Sequence, residues 1–303
     1  MLRIRGLKKR YKTLTVLNEL DMNIDKGDVY GLLGTNGCGK TTTMNIICNI
    51  IPKDDGVVEF ENDNLKIGYL PETPSLYGYL NGFEYLDYIG ACCRYEGDIK
   101  TRTAEVLEIT GMTKMATRLI RGYSKGMNQR IGIAAALYSK PDLLILDEPT
   151  SALDPAGRAG VIDIIERLAV TGATIILCTH ILGDVERVAN KIGILKNGKM
   201  TVEGSIREVR EWLGNENVLN IRFRQHSAEA INALCGNEIV SRHEVSDPSG
   251  ITLYAKEGVS EKEMFNMVVS SLLENEITPE SIEFRRMSLE DMYLKITGAA
   301  QTK

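Results

Sequence analysis

Four short apolar runs, at 29–33, 143–146, 174–178 and 192–195, are separated by stretches whose apolar residues recur at helical spacing, most clearly at 40–51 and 156–170. Strands apolar on both faces and spaced by helices predict a mainly parallel sheet covered by helices, an α/β fold. Residues 2–4 and 16–24 alternate polar and apolar instead, as half-exposed antiparallel strands do, and Asn197-Gly198 marks a tight hairpin. An antiparallel edge sheet is therefore expected beside the parallel core. After Trp212-Leu213-Gly214-Asn215 the pattern restarts: strand 218–223, helix 228–235, strands 239–245 and 251–255, helix 261–273, strand 281–285. This βαββαβ order predicts a small ferredoxin-like α+β domain, closed by a helix over 289–296. The expected division is 1–213 and 214–303, with 298–303 as a frayed tail.

A chain of 303 residues, 43% hydrophobic and 25% charged, is long enough for two such cores. No apolar run approaches the roughly 18 to 20 residues that cross a bilayer, so direct membrane insertion is not expected. Met1-Leu2-Arg3-Ile4-Arg5 leads into charged sequence without the apolar stretch of a secretory signal. The six cysteines (Cys38, Cys48, Cys92, Cys93, Cys178 and Cys235) form no Cys-x-x-Cys pair, which fits a reducing cytosol. The net charge of −5 arises in the last third, where 14 acidic face 9 basic residues after an even 27 and 27 up to position 213. With no basic surplus in either part, a nucleic-acid partner is not expected. His226 and His243 lack any metal-ligand spacing.

Directly after the apolar run at 29–33 comes Gly34-Thr35-Asn36-Gly37-Cys38-Gly39-Lys40-Thr41-Thr42, the P-loop spacing between a strand and a helix. Glycines let backbone N–H groups turn inward around phosphates, and the following helix points its positive end at them. Lys40 is expected to reach the terminal phosphates and Thr41 to hold Mg²⁺ through its hydroxyl, while Cys38 fills a variable small position. The run 143–146 ends in Asp147-Glu148-Pro149. A parallel strand delivers such acids to the edge where the P-loop sits, so Asp147 is expected to bind Mg²⁺, through water, and Glu148 to act as general base on the attacking water.

Shortly before that acidic strand stands Tyr123-Ser124-Lys125-Gly126-Met127-Asn128-Gln129-Arg130, with Ser151-Ala152-Leu153-Asp154 after it and His180 beyond 174–178. Five motifs in this order resemble the ATP-binding-cassette (ABC) proteins. The resemblance implies a P-loop NTPase core with an antiparallel edge subdomain and a helical signature subdomain. It implies head-to-tail homodimers around two ATP–Mg²⁺, in which Ser124 and the Gly126 N–H touch the γ-phosphate held by the opposite subunit. His180 would contact the γ-phosphate, Asp154 would signal across the dimer, and Tyr11 would stack on adenine, an ordinary edge-strand tyrosine being the other reading. Ser124 is also a local helix cap, but capping alone does not call for glycine at 126. Where the family keeps a glutamine this chain reads Ile67-Gly68-Tyr69-Leu70-Pro71-Glu72, and Glu72 could still ligate the metal.

Glu72, Lys125 and Met127 resemble the branch of bacterial drug, antibiotic and metabolite exporters, similar to daunorubicin- and bacitracin-resistance cassettes, and Ser288-Leu289-Glu290-Asp291-Met292-Tyr293-Leu294-Lys295 resembles their C-terminal extension. That branch implies a cytoplasmic ATPase, peripheral on the inner face of the membrane through a separate polytopic permease. Six of the 12 tyrosines lie from Tyr69 to Tyr95, and the resemblance places Tyr77, Tyr79, Leu80 and Phe83 near the permease contact. The alternative is a non-transport cassette ATPase acting on ribosomes or DNA. A further reading makes the acidic C-terminal domain a regulatory or dimer-supporting module.

Overall fold

The computed structural model describes all residues except 214–216, 225–227, 248, 257, 286 and 298–303, so His226, Gly214 and the expected frayed tail lie outside the described residues. The chain divides into two compact units, one of Met1–Val209 with the segment from Tyr293 onward, the other Arg210–Met292.

In chain order the first unit contains β1 (Leu2–Tyr11), β2 (Leu14–Ile24), β3 (Val29–Leu33), α1 (Lys40–Ile47), β4 (Asp55–Phe60) and β5 (Ile67–Leu70). The helices α2 (Gly82–Cys92), α3 (Ile99–Ile109) and α4 (Lys125–Leu137) follow. Then come β6 (Leu143–Asp147), α5 (Pro155–Val170), β7 (Thr174–Thr179), α6 (Leu182–Val188), β8 (Lys191–Lys196), β9 (Lys199–Ser205) and α7 (Ile206–Trp212), which crosses into the second unit.

Every residue of β3, β6 and β7 is buried, as the unbroken apolar runs require of strands covered on both faces. The six-stranded sheet runs β5-β6-β7-β3-β8-β9, parallel except for the β8–β9 hairpin. Asn197 and Gly198 make that hairpin with φ of 51° and 74°, both positive as a type I′ turn demands. Because β7 lies between β3 and β6, pairing Leu33 with Thr179 and Asp147 with Cys178, three carboxyl ends stand side by side.

The antiparallel sheet is β2-β1-β4, with Leu2 opposite Ile24 and Tyr11 opposite Leu14 across the hairpin. Alternation in β1 buries Leu2, Ile4 and Leu7 against Met44, Ile47, Leu143 and Ile176, so this small sheet closes one side of the core. Strand β4 has too short an alternation, Val58 and Phe60 alone facing in, to stand out in the sequence. Among the helices, α2 starts in a reciprocal capping box between Asn81 and Glu84, and the buried Arg102 Nε donates to the Tyr138 carbonyl (3.0 Å), closing the end of α4.

The second unit contains β10 (Val218–Arg222), α8 (Ala228–Cys235), β11 (Val240–Asp247), β12 (Gly250–Ala255), α9 (Glu261–Glu274), β13 (Ser281–Arg285) and the start of α10 (Leu289–Thr297). Its sheet, β11-β12-β10-β13, is antiparallel throughout, the strand order of a ferredoxin-like sandwich. Leu219, Ile221, Leu253, Met264, Val268 and Leu272 form its core.

Candidate nucleotide site

The loop between β3 and α1 can form only with glycine at its critical places. Gly37 and Gly39 hold φ of 79° and 115°, and a Cβ on Gly39 would lie 2.6 Å from Leu17. Gly39 ends the loop as the N-terminal cap of α1 without a capping side chain, so the first amides of α1 face outward for an anion. Lys40 is 6% exposed, and its Nζ donates to the Gly34 carbonyl (2.7 Å) and the Thr35 carbonyl (3.4 Å). A hollow of about 410 Å³ opens here, lined by Asn36, Gly37, Gly39, Lys40, Thr41, Thr42, Glu72 and Glu148, with Leu14 and Val16 at one side.

The acidic strand end supplies the opposite chemistry. Both carboxylate oxygens of Asp147 are buried without a hydrogen-bond partner. Burial pushes its carboxyl up, the Thr41 hydroxyl pulls it down, and Glu148 and Glu72 push it up again. A buried, unpaired carboxylate beside a hydroxyl suits a hard cation, so Asp147 and Thr41 fit Mg²⁺ carried on a nucleotide. Among the described residues no cluster of three or more His, Cys, Asp or Glu could hold a metal by itself, so phosphate oxygens would have to complete such a site.

Glu148 is buried and adopts a left-handed backbone (φ 49°), costly for a non-glycine residue. Its N–H donates to the Cys178 carbonyl (2.8 Å). One carboxylate oxygen, Oε2, bonds His180 Nδ1 at 2.9 Å, and the other, Oε1, is 3.6 Å from Lys40 Nζ and has no hydrogen bond. Cys38 is buried beside Gly34, and burial pushes its thiol up, so it offers no reactive thiolate.

The remaining expected residues are distributed differently. Ser124 caps α4, its Oγ accepting the Met127 N–H (3.3 Å), and Asp154 caps α5 by accepting the Gly157 N–H (3.2 Å). Neither they nor Gly126 lines the hollow. A Cβ on Gly126 would stand 3.4 Å from the Gly157 Cα, an ordinary van der Waals contact, so the starts of α4 and α5 lie together but packing within the chain does not itself demand glycine there. Tyr11 is 46% exposed at the hairpin tip, its ring centroid 5.5 Å from Lys9 Nζ, and it does not line the hollow either. Leu14 and Val16, which do, carry no motif and went unnoticed in the sequence. Gln129, named only as part of the signature run, makes a contact the sequence did not show: it is 2% exposed and its Nε2 donates to the Glu72 carbonyl (3.1 Å), joining the signature helix to the Glu72 loop.

Phosphate-cradling loop, acidic strand and histidine at one sheet edge define a P-loop ATPase. The profile of the ABC transporter family matches residues 17–151. The linearmycin resistance ATP-binding protein of Bacillus subtilis (strain 168) is 33% identical over 311 residues, covering 98% of this chain and 98% of that protein. The daunorubicin/doxorubicin resistance ATP-binding protein of Streptomyces peucetius is 32% identical, covering 97% and 91%. Among solved structures, an ATP-binding subunit of an ABC transporter matches with TM-score 0.63 and 28% identity over 70% of this chain and 93% of that one. A dimeric cassette in a post-hydrolysis state with ADP and Pi has the same fold (TM-score 0.62, 24% identity, 68% and 99% covered). The chain belongs to the ABC transporter family, and it is an ATP-binding, ATP-hydrolysing subunit of such a transporter.

Proposed function

We propose that this subunit pairs with a second copy around two ATP–Mg²⁺ and powers a separate membrane permease that exports a drug, antibiotic or metabolite. The observation that carries the catalytic part is the meeting of Lys40, Thr41 and Glu148 at one hollow, with the buried Asp147 beside Thr41, one Glu148 oxygen held by His180 and the other free of hydrogen bonds. In this reading Lys40 and the loop amides bind the phosphates, and Lys40 neutralises charge on the terminal one. Thr41 and Asp147, with Glu72 at the rim, would hold Mg²⁺, which supplies charge neutralisation at the phosphate oxygens when bound. Glu148 Oε1 accepts the proton of the attacking water, and His180 keeps the carboxylate turned toward that task.

Because Ser124, Gly126 and Asp154 stand away from the hollow of their own chain, they are free to complete the hollow of another, which supports the head-to-tail homodimer. Among the described residues no helix is long and apolar enough to cross a membrane, so we assign the membrane path to a partner and place this subunit on the cytoplasmic face through it. Tyr77, Tyr79 and Tyr88 are exposed and close, with ring centroids 5.8 Å (Tyr77–Tyr79) and 5.5 Å (Tyr77–Tyr88) apart, while Leu80 and Phe83 are half-buried. Clustered surface tyrosines suit a protein contact, and we assign this patch to the permease. Export rests on likeness to resistance proteins through both units. Purification from native membranes, with mass spectrometry of stoichiometric companions, tests the reading. A polytopic membrane protein is expected; recovery with ribosomal or DNA-bound partners would overturn it.

A further inference from the structure

We propose that Asp184 is a positioning residue for ATP hydrolysis: it pins both feet of the 151–154 segment to the stretch of chain that follows His180, and so holds the Glu148–His180 pair in place. The inference rests on the proposed role of Glu148. Asp184 lies in the first turn of α6 and is 3% exposed. Its Oδ2 accepts from Thr150 Oγ1 at 2.6 Å and its Oδ1 from Arg158 Nε at 2.7 Å. Thr150, itself 2% exposed, immediately precedes the segment, and Arg158 sits one turn into the helix that follows it. One buried carboxylate thus grips the entry and the exit of a single loop.

That loop needs an external hold. Its internal bonds, Ser151 N–H to the Glu148 carbonyl (3.1 Å) and Leu153 N–H to the Thr150 carbonyl (3.3 Å), close a turn without fixing where the turn sits. Within and beside it, Ala152 (φ 53°) and Glu148 (φ 49°) occupy left-handed backbone that each non-glycine residue would leave if the surroundings allowed. Sheet pairing anchors Glu148 to β7 through the Cys178 carbonyl on one side. On the other side the tether is Asp184, four residues after His180 on the same short stretch. Loosening it lets the loop relax and the Glu148 carboxylate swing away from His180, whereas the phosphate cradle, built by β3 and α1, is untouched.

The test uses the full chain, with any membrane subunit that copurifies, and compares Asp184→Asn, Asp184→Glu and Thr150→Val. Asp184→Asn is expected to lower kcat about 10- to 100-fold, since a displacement near 1 Å costs on that order, with ATP affinity from a fluorescent analogue within about 3-fold of wild type. Asp184→Glu should recover part of the loss, and Thr150→Val, which removes one arm and keeps the ion pair, should cost about 3- to 10-fold in kcat, carrying the test should Asp184→Asn fail to fold. In a Glu148→Gln background, Asp184→Asn should change the residual rate less than about 2-fold, because the clamp acts through Glu148. Wild-type kcat in folded Asp184→Asn or Thr150→Val, ATP affinity lost in parallel with kcat, or full additivity with Glu148→Gln would overturn the inference. Undiminished turnover in Glu148→Gln itself would instead overturn the assignment of the base.

Discussion

Replacing Glu148 with Gln separates binding from chemistry. The amide is nearly isosteric and can keep the 2.9 Å partnership with His180, so the loop and its left-handed backbone need not move. What disappears is the basic Oε1, buried and free of hydrogen bonds. Loss of a positioned general base lowers turnover about 10²–10⁴-fold, which at 1.36 kcal/mol per decade is about 2.7–5.4 kcal/mol of barrier. Binding should move the other way. Glu148 Oε1 stands 3.6 Å from Lys40 Nζ, and a unit ion pair near 4 Å is worth about 4 kcal/mol at an effective dielectric of 20. ATP must draw Lys40 from that partner while bringing its own negative phosphates toward the same carboxylate; the neutral amide removes both costs. The expected result is equal or tighter ATP affinity with a collapsed kcat, read by phosphate release and by titration with a fluorescent ATP analogue. Turnover within 10-fold of wild type, or affinity weakened more than 10-fold, would refute the reasoning.

Other consequences can be measured alongside. Lys40→Ala removes a charge-assisted contact worth about 1.5–3 kcal/mol and should weaken ATP binding about 10- to 150-fold by the same titration. The Asp147 carboxyl is raised by burial, so the folded state binds a proton more readily than the unfolded state, and stability is lost as pH rises through the folded value. Asp147→Asn should therefore raise the apo melting temperature at pH 8 in chelator, with the gain shrinking toward acid pH, while abolishing the stabilisation by Mg²⁺–ATP; a lowered melting temperature at pH 8 would contradict this. Tyr77→Ser with Tyr79→Ser should release a copurifying membrane subunit yet leave ATP affinity unchanged, as pull-down and titration would report.

Much of this molecule could be read from spacing because its chemistry is local. Glycines, Lys40 and Thr41 sit within nine consecutive residues, and the acids close one apolar strand, so each half of the site is written in one short stretch. The central parallel strands, the β1–β2 pair and the βαββαβ order followed from periodicity and the β8–β9 hairpin from Asn197-Gly198, whereas the edge strands β4 and β5 did not show. What stayed hidden depends on contacts between distant segments. Asp184 looks like any acid near a helix start until β7 brings it beside Thr150 and Arg158. Gln129 reads as one more residue of a helical face until its amide is seen on Glu72. Leu14 and Val16 reach the hollow only because the β1–β2 hairpin brings them to it.

The separation of Ser124, Gly126 and Asp154 from the hollow that their own P-loop lines has a kinetic consequence. Under head-to-tail pairing a lone subunit owns two unfinished halves and no finished catalytic centre. Its rate in dilute solution should then rise with the square of protein concentration until pairing saturates. A permease carrying two subunits would hold them at an effective concentration in the millimolar range, turning an encounter-limited reaction into an intramolecular one. Hydrolysis would thus be kept low for free subunits and switched on by assembly, with no inhibitor required.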